Sequence, residues 1–305
     1  VISRRSLFTN LAVLGLVGGG LWWSKDHVFL PPPKPRFADP AGGGWLPMVG
    51  SRSGLAVIPV GLGGRVVQAL VDSGAQYSAI DRGFAERLGL EHALGPPIMA
   101  MGVGGTTHVA PRIPLALEAG GVTLPRVMSA ALDLATLSVA MEAETPLILG
   151  FDVLASLVAD IDFPGRRLRF LPAAPAMAGV PAPVRRQGRA LLAQVLVEGR
   201  SIELLVDTGS GGHISLSEAA ARDLGLLDRP ARAARNLVLG GIASSQVIEV
   251  AHLAFAGESF TDVPVHLIQL PAAPGFPKGL LGAETLRRWR VIMDAGSGRM
   301  TLIEP

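Results

Sequence analysis

Leu204-Leu205-Val206-Asp207-Thr208-Gly209-Ser210 decides how this 305-residue chain folds, because Ala69-Leu70-Val71-Asp72-Ser73-Gly74-Ala75 has already presented the same form. In each stretch an apolar run delivers an Asp into a tight Ser/Thr-Gly turn. A single triplet of this kind arises readily by chance in a chain of this length. Two that are followed by matching sequence do not. The first leads into Ser78-Ala79-Ile80-Asp81 and then Phe84-Ala85-Glu86-Arg87-Leu88-Gly89-Leu90. The second leads into Ile214-Ser215-Leu216-Ser217 and then Ala220-Ala221-Arg222-Asp223-Leu224-Gly225-Leu226. The two Asp residues are 135 positions apart and Leu88 and Leu224 are 136 apart, so the second turn has gained one residue. Further on, Leu149-Gly150 and Leu281-Gly282 are 132 apart, as are Asp162 and Asp294. The chain is an internal repeat, and its two halves are expected to fold alike.

Working outward, each half reads as short apolar strands broken by turns. In the first half these are Leu55 to Val60, Val66 to Val71, Ser78 to Ile80, Ile113 to Leu117 and Val122 to Val127, with a short helix over Arg82 to Leu88 stopped by Gly89. The half closes with a short helix through Leu157 and an Asp160–Leu171 hairpin turning at Pro164-Gly165. The second half repeats this order through Ala190 to Val197, Ile202 to Val206, a helix over Ser217 to Leu224, a helix from Glu284, and Val291 to Ile303. With 38 Gly and 24 Pro, the expected class is all-β: two pseudo-twofold-related, barrel-like lobes with short helices and a site between them. The expected boundaries are 1–23 as a signal anchor or transmembrane segment, 24–50 as a Pro/Gly-rich spacer, 51–171 as the N-terminal lobe, 172–187 as an interlobe linker and 188–305 as the C-terminal lobe.

The first 23 residues place Arg4-Arg5 ahead of the uncharged run Leu7–Trp23, with Trp22-Trp23 where an interfacial belt would sit. No A-x-A site precedes Ser24-Lys25-Asp26, which favours an uncleaved anchor. Arg4-Arg5 with Leu7-Phe8 fits either a twin-arginine export signal or the positive flank of an ordinary signal anchor. Both put the body outside the cytoplasm, on a single-pass anchor in the cell inner membrane with the lobes in the periplasm.

Composition excludes several chemistries. Without Cys there is no disulfide, thiol nucleophile or thiolate metal site. The six His residues have no metal-ligand spacing. At a net charge of +2, Arg166-Arg167-Leu168-Arg169 and the arginines between 229 and 235 read as solvated faces, and no nucleic-acid partner is expected. Gly61-Leu62-Gly63-Gly64 lacks a phosphate-loop pattern and reads as a hairpin. Asp294-Ala295-Gly296-Ser297 resembles a third Asp turn without the hydroxyl. Its repeat partner, Asp162-Phe163-Pro164-Gly165, is a hairpin turn, so its reading is structural.

Two carboxylates brought together across a pseudo-twofold axis cannot both ionise easily. They share one proton and hold a water between them, the ionised member acting as base and the protonated one as acid toward an amide carbonyl. The chemistry needs no metal and no cofactor. The hydroxyls of Ser73 and Thr208 are placed to cross-brace the two turns.

These residues resemble the aspartic peptidases, and in particular retropepsin-like single-chain pseudo-dimers of bacterial membrane-tethered type. The resemblance covers roughly residues 50–305. It rests on the paired Asp turns, the paired hydrophobic-Gly motifs and two glycine-rich tips. It implies that Asp72 and Asp207 are catalytic, supported by Ser73, Gly74, Ala75, Thr208, Gly209 and Ser210. It also implies that Gly102-Val103-Gly104 and Gly240-Gly241-Ile242 are flaps closing over an extended polypeptide, in a monomer that is its own pseudo-dimer. Ala75 follows the retropepsin pattern and Ser210 the pepsin one; the extra hydroxyl leads us to expect Asp207 to be the ionised member. Gln76 and Gly211 stand where viral retropepsins carry an acid. The implied function is aspartic endopeptidase action on exported or membrane proteins; the alternative is a non-catalytic peptide-binding or scaffold protein on the same fold.

Overall fold

The computed structural model describes residues 32–50, 54–101, 107–173, 178–238, 241–270 and 276–305. In chain order the elements up to the middle of the chain are β1 (Arg36–Phe37), β2 (Leu46–Pro47), β3 (Val57–Leu62), β4 (Arg65–Val71), β5 (Ala79–Asp81), α1 (Arg82–Arg87), β6 (Ala93–Met101), β7 (Thr107–Ala119), β8 (Val122–Leu132), α2 (Ala135–Ala140), β9 (Leu147–Leu149), α3 (Phe151–Leu154), β10 (Val158–Asp162) and β11 (Arg167–Leu171). There follow β12 (Val180–Pro181), β13 (Val184–Gln187), β14 (Ala190–Val197), β15 (Arg200–Asp207), β16 (Ile214–Ser217), α4 (Glu218–Asp223), β17 (Arg232–Val238), β18 (Gly241–Phe255), β19 (Glu258–Ile268), β20 (Gly279–Gly282), α5 (Ala283–Leu286), β21 (Arg290–Asp294) and β22 (Arg299–Ile303).

Alternation along β15 shows why such strands curl into barrels. Ile202, Leu204 and Val206 enter the core while Arg200, Ser201 and Glu203 stay outside. In the N-terminal half β8-β5-β9-β4-β3-β7 pair in that order and β7 closes on β8; in the C-terminal half β14-β15-β20-β16-β19-β18 do the same and β18 closes on β14. The protein is thus an all-β, bilobal fold of two closed six-stranded barrels. The repeated helices have equivalent caps. Asp81 accepts from the Phe84 amide at 2.8 Å and Ser217 from the Ala220 amide at 3.1 Å. Gly89 and Gly225 end the two helices at φ 64° and 71°, a conformation that a side chain resists.

A third sheet, β12-β22-β21-β10-β11-β2, joins the lobes. Its centre is the antiparallel pairing of β10 with β21, which sets Asp162 opposite Arg290. Here the arginine-rich stretch is more than a solvated face. Asp160, fully buried, takes two hydrogen bonds from Arg290, at 2.7 and 2.8 Å, and one from Arg169 Nε at 2.8 Å. Trp45 covers the cluster, with the guanidinium carbons of Arg167 and Arg169 each 4.4 Å from its ring centre and that of Arg290 at 5.3 Å.

Two expected boundaries need correction. From Arg36 onward the stretch expected as a spacer belongs to the body: β1 pairs with β8, β2 pairs with β11, and Met48 is buried. The glycines that suggested a flexible linker are there for contact. Gly43 donates to the Phe170 carbonyl and Gly44 to that of Gly120, both at 2.7 Å, and a Cβ on Gly43 would lie 3.0 Å from both carbonyl oxygens. The expected linker 172–187 likewise includes β12, paired with β22, and β13, paired with β14. A chain begun at residue 32 is therefore expected to keep the thermal stability of the full chain. One begun at residue 46, which loses β1 and the Trp45 cover, is expected to lose roughly 2–3 kcal/mol by denaturant unfolding. Equal midpoints for the two would show that residues 36–45 contribute nothing.

Among the described residues no helix is long and apolar enough to cross a membrane. The expected anchor, residues 1–23, lies outside the described residues.

Candidate active site

β4 delivers Asp72 directly after its last residue and β15 ends in Asp207, and each strand is fixed from the side by the strand of the hydrophobic-Gly motif: Val71 lies beside Leu149 and Asp207 beside Gly282, in parallel pairings. Asp72 and Asp207 are both fully buried where the two lobes meet. The turns after them interlock. Ser73 Oγ donates to the Val206 carbonyl at 2.8 Å, and Thr208 Oγ1 donates to that of Val71 at 2.7 Å. Each hydroxyl also accepts the backbone amide of the other residue, Ser73 N at 3.0 Å and Thr208 N at 3.1 Å. The four bonds tie each Asp loop to the strand end of the opposite lobe.

Gly74 and Gly209 serve this closeness. A Cβ on Gly74 would stand 2.5 Å from Asp207 Cγ, and one on Gly209 2.5 Å from Asp72 Cγ. Each glycine is the space that the opposite carboxyl fills. Gly150 is equally constrained, since a Cβ there would meet the Tyr77 carbonyl carbon at 2.6 Å.

Asp72 Oδ1 accepts from the amides of Gly74 at 2.8 Å and Ala75 at 3.0 Å, and Asp207 Oδ1 accepts from Gly209 at 2.9 Å. The Oδ2 atoms are buried and meet no donor except what the facing carboxyl supplies; the two side chains are within hydrogen-bond reach of each other. One shared proton satisfies both oxygens, whereas two bare carboxylates would leave both unpaired. Burial pushes Asp72 up to about 6 against the hydrogen bonds that favour its charge. Burial and then the Asp72 charge push Asp207 well above the ordinary carboxylate range. The pair therefore holds one proton between the two carboxyls. Each turn points backbone amides toward its own carboxyl, those of Gly74 and Ala75 for Asp72 and those of Gly209 and Ser210 for Asp207.

A second layer of support was not anticipated. Asp152, in α3 just after the hydrophobic-Gly motif, accepts the amide of Ser78 at 2.9 Å and its hydroxyl at 2.8 Å, and Ser78 Oγ in turn accepts from Gly150 N at 3.1 Å. In the C-terminal lobe Thr285 Oγ1 donates to the His213 carbonyl at 3.0 Å. The sequence signal available was a polar residue shortly after each Leu-Gly pair, Asp152 two positions past Gly150 and Thr285 three positions past Gly282. Across the lobes, Arg189 stacks on Tyr77 at 4.4 Å.

Of the expected flap residues, Gly102, Val103, Gly104 and Gly240 lie outside the described residues. Gly241 and Ile242 begin β18, where their backbones pair with Val238 and Leu237 of β17. β6 and β7 converge in the same way to Met101 opposite Thr107. The third Asp turn is a hairpin: Asp294 accepts from the Ser297 amide at 3.1 Å and from Arg299 at 2.8 Å. Among the described residues no group of His, Asp and Glu could hold a metal ion.

Comparison with known proteins follows the repeat. The family described as Aspartyl protease matches residues 58–153 and 193–285, one segment in each lobe and well over half of the chain. The chain belongs to the aspartyl protease family. Among solved structures, this family member is similar to a retropepsin-like aspartic protease from Rickettsia conorii, at 22% identity over 40% of this chain and 87% of that one, with a TM-score of 0.31. It is also similar to basic 7S globulin from soybean, at 11% identity over 89% of this chain and 95% of that one, with a TM-score of 0.48. No curated protein matches it.

Thr208→Val tests the interlock of this aspartyl-protease chain. It keeps the shape but strands the Ser73 amide and the Val71 carbonyl, and is expected to cost about 2 kcal/mol of stability. Thr208→Ser, which restores the hydroxyl, is expected to recover most of it. Equal denaturant midpoints for Thr208→Val and wild type would remove the cross-brace from the account.

Proposed function

We propose that the chain is an aspartic endopeptidase that hydrolyses peptide bonds in extended polypeptide segments. The observation that carries this is the pair of fully buried carboxyls whose Oδ2 atoms have only each other as hydrogen-bond partners. Burying one carboxylate opposes folding, and a protein that merely held peptides would have no chemical use for a second facing it. In the reaction, ionised Asp72 takes a proton from a water held between the carboxyls as the water oxygen attacks the carbonyl carbon of the substrate. Protonated Asp207 gives its proton to the carbonyl oxygen. In the tetrahedral diol that results, the proton held by Asp72 passes to the amide nitrogen, the C–N bond breaks, and Asp207 recovers its proton as the new carboxyl forms.

With Leu7–Trp23 as a single-pass anchor, the body stands on the periplasmic side of the inner membrane and the substrates are exported or membrane proteins. The sequence of the first 23 residues supports this part of the reading.

The pH profile tests the assignment of roles. Asp72, raised to about 6 by burial, must be ionised, so kcat/KM on a peptide mixture is expected to rise as pH passes about 6. It is expected to fall again at higher pH, as Asp207 gives up the second proton. A profile already at its plateau at pH 4 would contradict the raised pair.

A further inference from the structure

Among the described residues the second repeat has no counterpart of α2, and a pocket opens on the side of the lobe that α2 closes in the first. In the N-terminal lobe residues 133–146, between β8 and β9, carry α2. Its Leu137, with Leu134 before it and Met141 after it, is buried in the main core together with Val57, Leu70 and Ile148. The Met141 carbonyl oxygen lies 3.8 Å from the place of a Cβ on Gly50, next to Val49, whose amide bonds the Val57 carbonyl at 2.8 Å. Gln68, at the repeat position of Glu203, has its side-chain oxygen shut away from solvent. In the C-terminal lobe the segment between β19 and β20, residues 269–278, is shorter. There the counterparts of Val57, Leu70 and Ile148 are Leu192, Leu205 and Leu280, which pack with Ile268 as a small cluster of their own, apart from the barrel core.

The pocket measures about 290 Å³, and Arg185, Gln187, Leu192, Glu203, Phe276 and Lys278 stand in its wall. It lies on the face of β15 that carries Asp207. Ile202, Leu204 and Val206 enter the barrel, so Glu203, Leu205 and Asp207 share the other face; Arg185 and Leu192 join it, because Arg185 pairs with Leu192 and Leu192 with Leu205. Four residues of strand separate Glu203 from Asp207, which puts the pocket about 13 Å from the Asp pair. An extended peptide lying across the carboxyls covers that distance in about four residues.

Charges in the pocket do not cancel. Arg185 forks onto Glu203, at 2.5 and 2.7 Å, and gives a further hydrogen bond to Gln187 at 3.0 Å. The Arg185 hydrogen bond first, and the charges of Arg185 and Lys278 after it, hold the Glu203 carboxyl below the ordinary range. Lys278 is exposed and makes no ion pair among the described residues. Two cations thus face one carboxylate, and the ammonium is the cation with donors to spare.

We propose that this pocket is a remote subsite for the substrate, which takes an acidic side chain about four residues from the cleaved bond, its carboxylate on Lys278 and its stem against Leu192 and Phe276. The inference rests on the endopeptidase reading and adds to it a requirement away from the bond itself. An ion pair in an open pocket is worth only a few-fold in affinity. Because it is the same before and during the reaction, it shows in KM and not in kcat.

The test uses the full chain and paired peptides that differ only by Glu against Gln at each position out to six residues on either side of the cleaved bond. Wild type is expected to show a KM about 3- to 5-fold lower for the Glu form at one position three to five residues from the bond. Lys278→Met is expected to bring that ratio to about one. Glu203→Gln, which removes the pocket's own acid and releases Arg185, is expected to raise it above the wild-type value. A wild-type ratio near one at every remote position, or a ratio that survives Lys278→Met, overturns the proposal and leaves the endopeptidase reading intact. Should wild type cleave nothing, binding of the same peptides, fluorescein-labelled, to wild type and to Lys278→Met separates the two readings. A preference for Glu that disappears in Lys278→Met keeps the pocket and sinks the endopeptidase reading, and no preference sinks both.

Discussion

Asp72→Asn, and separately Asp207→Asn, is expected to lower peptide cleavage about a thousand-fold or more while making the protein harder to unfold at neutral pH. The loss follows from the division of labour: one carboxyl must be charged to take the proton of water and the other neutral to give one, and an amide does neither. The gain follows from burial. Asp72 binds its proton more tightly in the folded protein, at about 6, than in the unfolded chain, at about 4. Its contribution to stability is full below pH ~4 and is lost as pH rises through about 6, leaving a deficit at pH 7 of roughly 2–3 kcal/mol. Asn has no charge to desolvate, and its NH₂ can donate to the facing carboxyl. Denaturant midpoints of wild type are thus expected to decline between pH 4 and 7 relative to those of Asp72→Asn. Parallel curves would place the carboxyl in water, and unchanged cleavage would remove the residue from the chemistry.

Arg290→Met is expected to be the most damaging single change outside the Asp loops, at about 3 kcal/mol and a fall in Tm of several degrees. Arg290 supplies two of the three hydrogen bonds to the fully buried Asp160, and its loss leaves that carboxylate with Arg169 alone. Asp160→Asn is expected to cost less, because the arginines it releases are about a quarter exposed, at 27% and 28% of their side chains, and can turn to water. Combining the two changes is expected to cost less than their sum, which a double-mutant cycle reads directly. Additive effects would mean that the pair does not bind the lobes together. The location gives the number its meaning, since β10 and β21 belong to different halves of the repeat and everything that aligns Asp72 with Asp207 depends on how those halves meet.

The repeat made the fold legible. Once Asp72 and Asp207, Leu149-Gly150 and Leu281-Gly282, and the helices ended by Gly89 and Gly225 line up, two similar lobes facing one another follow, as does the pairing of Ser73 with Thr208. What escaped the sequence lies where the repeat is silent. Residues 36–45 match no motif of the second half, and their Pro and Gly content reads as a tether; only the carbonyls of Gly120 and Phe170, brought close by the fold, show that Gly43 and Gly44 are contact points. Asp160 pairs with Arg290 across 130 residues, and local charge pattern sees only an arginine-rich hairpin.

The central claim is that two carboxyls sharing one proton direct water at a peptide bond. Its most direct measurement is cleavage of a mixed peptide library in H₂¹⁸O by the full chain, beside Asp72→Asn and Asp207→Asn, with products read by mass spectrometry. The account expects new carboxyl termini that carry the heavy oxygen in wild type and no products from either variant. Products that persist in either Asn variant would contradict it, as would a folded wild type that cleaves none of the library.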